Sequence, residues 1–237
     1  MPNTLAPIIR NLSQRTSLSM ARTSLFQCVA LLACVFAAAS YSLVYLAQEL
    51  NRFEDSESAF YTRKAVQSLE KSQRLTVKDY AFWGDAYKHL HVSVDTDWAY
   101  TRENVGPTLF HDFGFQGVFV VDDLDRTVYA LVEGKLQPIE LTEWLDQPVA
   151  ALLEQARAGA ATDTPVTTFI NVRGNPTLVA AAAITPGTDP SVIADDRKAS
   201  VLLFINILDS AKLTEIGNDF GVDHLHIATP DEIGETL

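Results

Sequence analysis

Cysteine is absent from residues 48–237, because the two cysteines of the sequence, Cys28 and Cys34, both lie in one apolar run. A domain without cysteine has no disulfide, which excludes the small disulfide-stapled scaffolds. Within the apolar run, the two cysteines are most simply small packing residues. Glycine and proline are not enriched either, with 11 and 10 residues in 237, so we do not expect wholesale disorder.

Charge is absent from residues 25–47, a run of 23 residues. A helix of that length spans the roughly 30 Å hydrocarbon core of a bilayer, so the sequence predicts a transmembrane helix with the lipid bilayer as its partner. Three arginines and no acid precede the run, and the first acid is Glu49. The positive-inside rule therefore places residues 1–24 in the cytoplasm and residues 48–237 outside.

A cleaved secretory signal is the competing interpretation of the same run. Ala37, Ala38 and Ala39 offer a small-residue cleavage pattern after an apolar stretch. We favour the anchor because the apolar character continues beyond Ala39, and a signal core is usually only about 7–15 residues long. A mature N-terminus at Ser40 would contradict the anchor.

The charge balance is strongly acidic outside the membrane run. All 30 acidic residues follow residue 48, together with 15 of the 18 basic residues, so this part carries 15 − 30 = −15 charges. This excess argues against nucleic acid as a partner and against docking of the folded part on anionic lipid. Solubility of an exported domain explains it best.

Residues 48–76 predict a stem helix that continues the membrane helix outward. A 3-4 spacing of apolar residues continues from the end of the membrane run into the stem, at Leu43, Leu46, Leu50, Phe53 and Phe60, with Glu57 as an interruption. The same spacing is typical of a coiled-coil seam, so a parallel homodimer is an open alternative. Packing on the protein's own sheet is the favoured use of this face.

The remaining sequence predicts a sheet with flanking helices. Residues 1–24 read as a largely unstructured tail, 77–91 as a helix and 96–106 as an irregular segment. Strands are predicted at 117–122, 127–132, 165–172, 177–184, 200–208 and, more weakly, 223–228; helices are predicted at 108–113, 141–158 and 210–220, the last capped by Asp209. The fold class is therefore α/β (α+β), one central antiparallel sheet with helices on one face, preceded by a long N-terminal helix that is continuous with the transmembrane helix.

Signatures of catalysis and of metal binding are missing. The sequence has no G-x-S-x-G, no glycine-rich phosphate loop and no H-E-x-x-H, so we predict no enzyme and no cofactor. His89 and His91 do not share a face of a helix, and His224 and His226 have no third ligand beside them. The aspartates of residues 122–125 read as a hairpin turn, so we predict no metal site.

One aromatic segment is the candidate ligand site. Trp83, Tyr87 and Trp98 would supply apolar walls, and Asp79, Asp85 and Asn104 would supply oriented polar groups. Asp79, Trp83 and Tyr87 stand four residues apart, on one face of a helix. The alternative is a helix that packs its aromatic residues onto the sheet, and spacing alone favours that alternative.

The same segment carries a family resemblance. Asp79, Ala81, Trp83, Asp85 and Tyr87 match the D-x-A-x-W-x-D-x-Y pattern of the CHASE4 domain, an extracytoplasmic sensor module of bacterial signalling receptors. Two further stretches are similar to that family: residues 113–122 (FGFQGVFVVD) and, more weakly, 203–213. The resemblance covers roughly residues 50–228. One departure is Gly84, where the family often has an acid.

The resemblance implies a PAS- or Cache-like fold, two membrane helices that bracket the domain, and a cytoplasmic output such as a diguanylate cyclase, a cyclic-di-GMP phosphodiesterase or a histidine kinase. Residues 77–228 are then the sensor domain, periplasmic and held at the bacterial inner membrane, which binds a small ligand or a periplasmic partner. Residues 229–237 read as an interrupted domain edge, so we expect a truncated chain. The alternative is an anchored interaction or dimerisation module without a small ligand; an anchored hydrolase is the least favoured.

Overall fold

The computed structural model describes residues 6–222 and 225–227 of the chain. It divides into two compact units, Met1–Ala59 and Phe60–Leu237. The predicted edge at residues 229–237 and most of the predicted strand 223–228 lie outside the described residues. Residues 225–227 are described and are not a strand.

The described residues of the first unit, from Ala6 onward, belong to one helix, α1, which spans Ala6–Ala81. Within it, Ser24–Leu50 is long and apolar enough to cross a membrane by length and composition, with 27 residues at a mean hydropathy of 2.1 and none of them buried. This confirms a candidate membrane helix around residues 25–47. The helix begins at Ala6, so the prediction of an unstructured segment before the apolar run is wrong for residues 6–24.

The second unit is built on a six-stranded, wholly antiparallel sheet with the strand order β3-β2-β1-β6-β5-β4. The strands are β1 Gly117–Val121, β2 Thr127–Val132, β3 Lys135–Leu136, β4 Val166–Val172, β5 Asn175–Ala183 and β6 Val201–Ile207. Five of the six match the predicted strands, and the two-residue β3 was not predicted. The sequence therefore located the sheet correctly.

Helical segments cover both faces of the sheet. Between α1 and β1 lie α2 Gly84–Ala86, two π-helical turns, π1 Tyr87–Val92 and π2 Asp97–Thr101, and α3 Thr108–His111; after the hairpin come α4 Leu141–Leu145 and α5 Ala150–Ala158, and after β6 comes α6 Ser210–Phe220. Val120 and Phe204 pack with the segments that precede β1, whereas Phe119 and Leu203 pack against α4 and α5. The expectation of helices on one face only is wrong, because the central strands are apolar on both faces.

Two helices illustrate how local chemistry sets the ends of an element. The predicted helix 141–158 is broken, since Asp146 adopts a left-handed conformation and Pro148 follows it. The predicted helix 210–220 is confirmed, and the Asp209 side chain accepts the Lys212 backbone N–H at 2.9 Å as an N-cap.

The stem face that packs differs from the predicted one. Leu50, Phe53 and Phe60 are all more than half exposed, so the prediction that their face packs on the sheet is wrong. The packed residues of α1 lie four apart further along the helix: Ala65, Leu69, Gln73, Val77 and Ala81. Ala65 and Leu69 pack beside α6, and Val77 and Ala81 belong to the core on the sheet.

Candidate functional site

The candidate site begins where α1 ends. Trp83 is extended, with φ −146° and ψ 130°, and separates α1 from α2. The end of α1 is fixed by the chain after β5, because Thr185 forms a parallel bridge with Phe82 and its N–H donates to the Ala81 carbonyl at 3.1 Å. Asp79, Trp83 and Tyr87 therefore do not lie on one continuous helix, contrary to the prediction.

Trp98 is the centre of an aromatic stack. Its ring lies 5.4 Å from the Trp83 ring and 4.8 Å from the His89 ring, and the His89 and Trp98 planes are nearly parallel at 12°. Trp98 is only 8% exposed, whereas Trp83 is 38% exposed. The contact with Trp98, at an interplanar angle of 47°, thus holds one side of the Trp83 indole and leaves part of the ring open to solvent.

Polar side chains hold the stack in place. Asp95 accepts the Trp98 backbone N–H at 3.0 Å with one oxygen and lies 3.1 Å from His89 Nδ1 with the other. The hydrogen bond from the Trp98 backbone is the main reason that the pKa of Asp95 is lowered, although desolvation opposes it. The Asn104 amide donates to the Trp98 carbonyl at 2.9 Å.

A buried histidine lies beneath Tyr87. The rings of Tyr87 and His91 are 4.7 Å apart, and the His91 side chain is 1% exposed. His91 Nδ1 accepts the Ser200 backbone N–H at 3.2 Å and lies 2.9 Å from Ser200 Oγ. Because a backbone N–H can only donate, Nδ1 is the unprotonated nitrogen, and Nε2 donates to Asp195 at 3.2 Å.

Asp195 connects this histidine to the loop between β5 and β6. Its N–H donates to the Tyr87 hydroxyl at 2.8 Å, and its carboxylate accepts from the Arg197 guanidinium at 2.8 and 2.7 Å. Desolvation raises the pKa of Asp195, but the hydrogen bonds from Arg197 and His91 outweigh it and hold the pKa well below its ordinary value. Arg197 also donates to the His91 carbonyl at 3.2 Å.

We call residues 185–199 the strap, since this loop crosses the end of α1 and π1. Its close approach needs glycine at two positions. A Cβ at Gly84 would overlap the Asp189 carboxylate of the strap, and a Cβ at Gly187 would lie 2.6 Å from the Phe82 carbonyl oxygen. Gly187 also has φ +59°, which favours glycine.

The contacts among Ser200, His91 and Asp195 follow the serine–histidine–aspartate order of a catalytic triad. The burial of Ser200 favours a structural role instead. Ser200 is 2% exposed, so its hydroxyl is closed to a substrate. The three residues instead join π1, the strap and the start of β6. Within the described ranges no cluster of three His, Cys, Asp or Glu side chains could hold a metal ion.

The six predicted site residues are thus divided by the structure. Tyr87 and Trp98 are core residues, and Asn104 bonds the backbone of the same segment. Asp79 is exposed, and Asp85 pairs with Lys88 at 3.2 Å. Asp79, Trp83 and Asp85 are therefore the members open to solvent, and Trp83 and Asp85 flank Gly84, where the strap lies close.

Sequence reasoning missed the polar contacts to the strap. Nothing in the sequence places His91 near Asp195 and Ser200, which lie 104 and 109 residues away from it along the chain. The tyrosine and histidine of the aromatic segment were the one signal in the sequence that pointed to this cluster.

The molecule thus contains a mixed helix–strand domain and one long helix, α1, whose segment Ser24–Leu50 is apolar. The aromatic stack and the strap lie where α1 ends. The family model of the CHASE4 domain matches residues 65–228. The chain belongs to the CHASE4 family, whose members are extracytoplasmic sensor domains of bacterial receptors. A search of curated proteins gave no match.

Proposed function

We propose that this chain is the sensory part of a membrane receptor, in which a stimulus at the sensor domain changes the position of α1. One observation carries the proposal: a single helix, Ala6–Ala81, contains both the candidate membrane span and the residues that pack into the domain core. Because the helix is continuous, a stimulus that favours one of its two positions would act along its whole length. The stimulus must therefore have different affinities for the two positions.

The stimulus site that we propose is the open side of the aromatic stack. Trp83 offers a partly exposed indole, and Asp85 offers a carboxylate whose side chain is 47% exposed. Tyr87, Trp98 and Asn104 would position these two residues rather than touch the ligand. A small ligand or a periplasmic partner at this place would also meet the strap at Asp189, which packs against Gly84.

The cellular arrangement is part of the same proposal. The N-terminus would be cytoplasmic and the sensor domain periplasmic, at the bacterial inner membrane, as the arginines before the apolar run favour. The output would be a diguanylate cyclase, a cyclic-di-GMP phosphodiesterase or a histidine kinase on a polypeptide that includes this chain, reached through a second membrane helix.

A second candidate function is an anchored interaction module without a small ligand. The sheet face beside π1 is filled, since Ala180, Ala182, Leu202 and Phe204 are all fully buried there. A filled face favours recognition of a partner protein at the surface, or dimerisation, over a ligand enclosed on the sheet.

Two substitutions test the stimulus site in the receptor expressed from its native reading frame. We expect Trp83→Ala and Asp85→Asn each to reduce the stimulus-dependent change in output at least tenfold, because each removes a proposed contact. The measurement is output with and without stimulus, with circular dichroism as the test of folding. Leu124→Ala is the matched control, since Leu124 is an exposed apolar residue of the β1–β2 turn.

An unchanged stimulus response in folded Trp83→Ala and Asp85→Asn proteins would refute this site. A response that is lost together with binding of a purified partner protein, with no small molecule required, would favour the interaction module instead.

A further inference from the structure

The C-terminal part of α1 packs through a row of residues with four-residue spacing. Four members of the row are small or aliphatic: Ala65, Leu69, Val77 and Ala81. The middle member is Gln73, which is polar and only 2% exposed. A buried polar residue in the centre of an apolar docking row is unusual enough to require a physical reason.

Gln73 reaches two neighbouring strands at once. Its Nε2 donates to the Leu178 carbonyl of β5 at 3.1 Å and to the Phe204 carbonyl of β6 at 2.7 Å. Its Oε1 is buried and has no partner. An unpaired buried acceptor lowers stability, so the residue is kept at a cost.

A second amide lies beside this contact. Asn206 is the cross-strand neighbour of Leu178 and lies two residues from Phe204, on the same face of β6. It is 2% exposed, and its Oδ1 has no partner. In the part of the chain that the structure describes, Gln73 and Asn206 carry the two buried side-chain atoms without a hydrogen bond, and both lie where α1 crosses β5 and β6.

The rest of the row does not distinguish one position of α1 from the next. A shift by four residues, about 6 Å or slightly more than one turn, would place Leu69 or Val77 where Gln73 lies, and an aliphatic residue would again contact the sheet. Outside the row, Thr167 and Thr185 hold α1, through Glu70 and the Ala81 carbonyl. Within the row, Gln73 is the member that opposes such a shift, because its amide N–H groups would lose both carbonyl acceptors. Single buried polar residues fix the register of helix interfaces in this way, and they do so at the expense of stability.

We propose that Gln73 is a positioning residue that fixes the register of α1 on the sheet, with Asn206 as the polar neighbour beneath it. Replacing Gln73 by an apolar side chain of equal length then keeps or raises stability but allows α1 to occupy more than one register. The inference depends on the packing of α1 alone, so its failure would leave the proposed sensory function standing.

Chemical cross-linking of α1 to the edge strand β4 reads the register directly. Thr167 of β4 donates a hydrogen bond to Glu70 of α1, so the pair Glu70→Cys and Thr167→Cys reports the observed register. Val66→Cys or Arg74→Cys, each combined with Thr167→Cys, reports a shift by four residues in one direction or the other. The full chain is reconstituted in nanodiscs with Cys28→Ser and Cys34→Ser, and a short bis-methanethiosulfonate reagent is added.

With Gln73 in place, we expect the 70–167 product to exceed either of the other two at least tenfold. With Gln73→Met, we expect one of the two shifted products to rise at least threefold, while the thermal midpoint is unchanged or higher. Gln67→Met is the matched control, because Gln67 is exposed on the same helix, and it should leave the pattern unchanged. A merely stabilising role of Gln73 would lower the midpoint without altering the products.

A swap of two residues gives a directional test. Leu69→Gln with Gln73→Leu keeps the composition but moves the amide by four residues, so the 66–167 product should become the main one. Folded Gln73→Met protein with the original pattern would overturn the proposal, as would a Gln73→Met protein that fails to fold. A folded swap variant that still cross-links mainly at 70–167 would do the same.

Discussion

At the scale of single residues, the structure depends on a few polar side chains that each join distant segments. Asp195 is the clearest case, since its carboxylate accepts from the His91 imidazole and the Arg197 guanidinium, while its backbone N–H donates to the Tyr87 hydroxyl. The Asp195 side chain remains 36% exposed, so solvent screens part of each interaction. The contribution of the Asp195 carboxylate to stability therefore depends on its being ionised.

The lowered pKa of Asp195 predicts a pH dependence of stability. Because the pKa is lower in the folded state than in the unfolded chain, its contribution is present above the ordinary carboxyl pKa of about 4 and is lost as the pH falls toward the folded pKa. We expect the thermal midpoint to fall between about pH 4 and pH 2, and Asp195→Asn to weaken that fall.

The measurement is the thermal midpoint followed by circular dichroism from pH 7 downward. Some acid sensitivity should remain in the variant, because the pKa values of Asp95 and Asp122 are also lowered. Asp196→Asn is the matched control, since it removes the same formal charge one residue further along the strap. Identical acid profiles for wild-type protein and Asp195→Asn would contradict the assignment.

At the scale of elements, the strap can lie close to the start of α2 because Gly84 has no side chain. A methyl group there would meet the Asp189 carboxylate, so Gly84→Ala should displace the strap and lower the free energy of unfolding by about 1–3 kcal/mol. The check is thermal or urea unfolding, together with hydrogen exchange at the amides of residues 185–199.

A double variant separates crowding from other effects of the same change. Asp189→Gly removes the side chain that Gly84→Ala would meet, so the loss in the double variant should be smaller than the sum of the two single losses. Additive losses would show that the strap does not depend on this close approach.

Local patterns in the sequence were sufficient for most elements of this fold. The β1–β2 hairpin and α6 follow from alternation, helical spacing and the Asp209 cap, all of which act within a few residues. The covering of both sheet faces was not predictable, because spacing shows that a helix has an apolar face but not which side of the sheet receives it. The end of the helix before Trp83 depends on Thr185 of the strap, which belongs to a distant part of the sequence.

The candidate site was predictable to the same extent. The aromatic residues that form it were found, but their burial was not, since Tyr87 and Trp98 contact strands that lie far along the chain. Gln73 gave no signal at all, because a glutamine in a polar helix looks like a solvent-exposed residue. Its partners, two strand carbonyls, carry no mark in the sequence.

At the scale of the whole molecule, the proposed orientation can be tested by labelling. Ile193 is 91% exposed in the strap, so Ile193→Cys in a chain with Cys28→Ser and Cys34→Ser should react with a membrane-impermeant maleimide from the periplasmic side. We expect labelling in cells with a permeabilised outer membrane and an intact inner membrane. Labelling only after lysis would contradict the orientation, and a mature N-terminus at Ser40 would contradict the anchor.

The four-residue row of α1 has a geometric consequence of its own. An α-helix has 3.6 residues per turn, so each step of four residues turns through about 400°, or about 40° beyond a full circle. The row from Ala65 to Ala81 therefore winds around α1, and ridges of this kind are inclined to the helix axis by about 26°. A movement that keeps these residues in their row is a screw, because axial travel is tied to rotation about the axis. In such a movement, rotation and axial translation of α1 occur together. An assay that measures only one of the two would therefore record only one component of the movement.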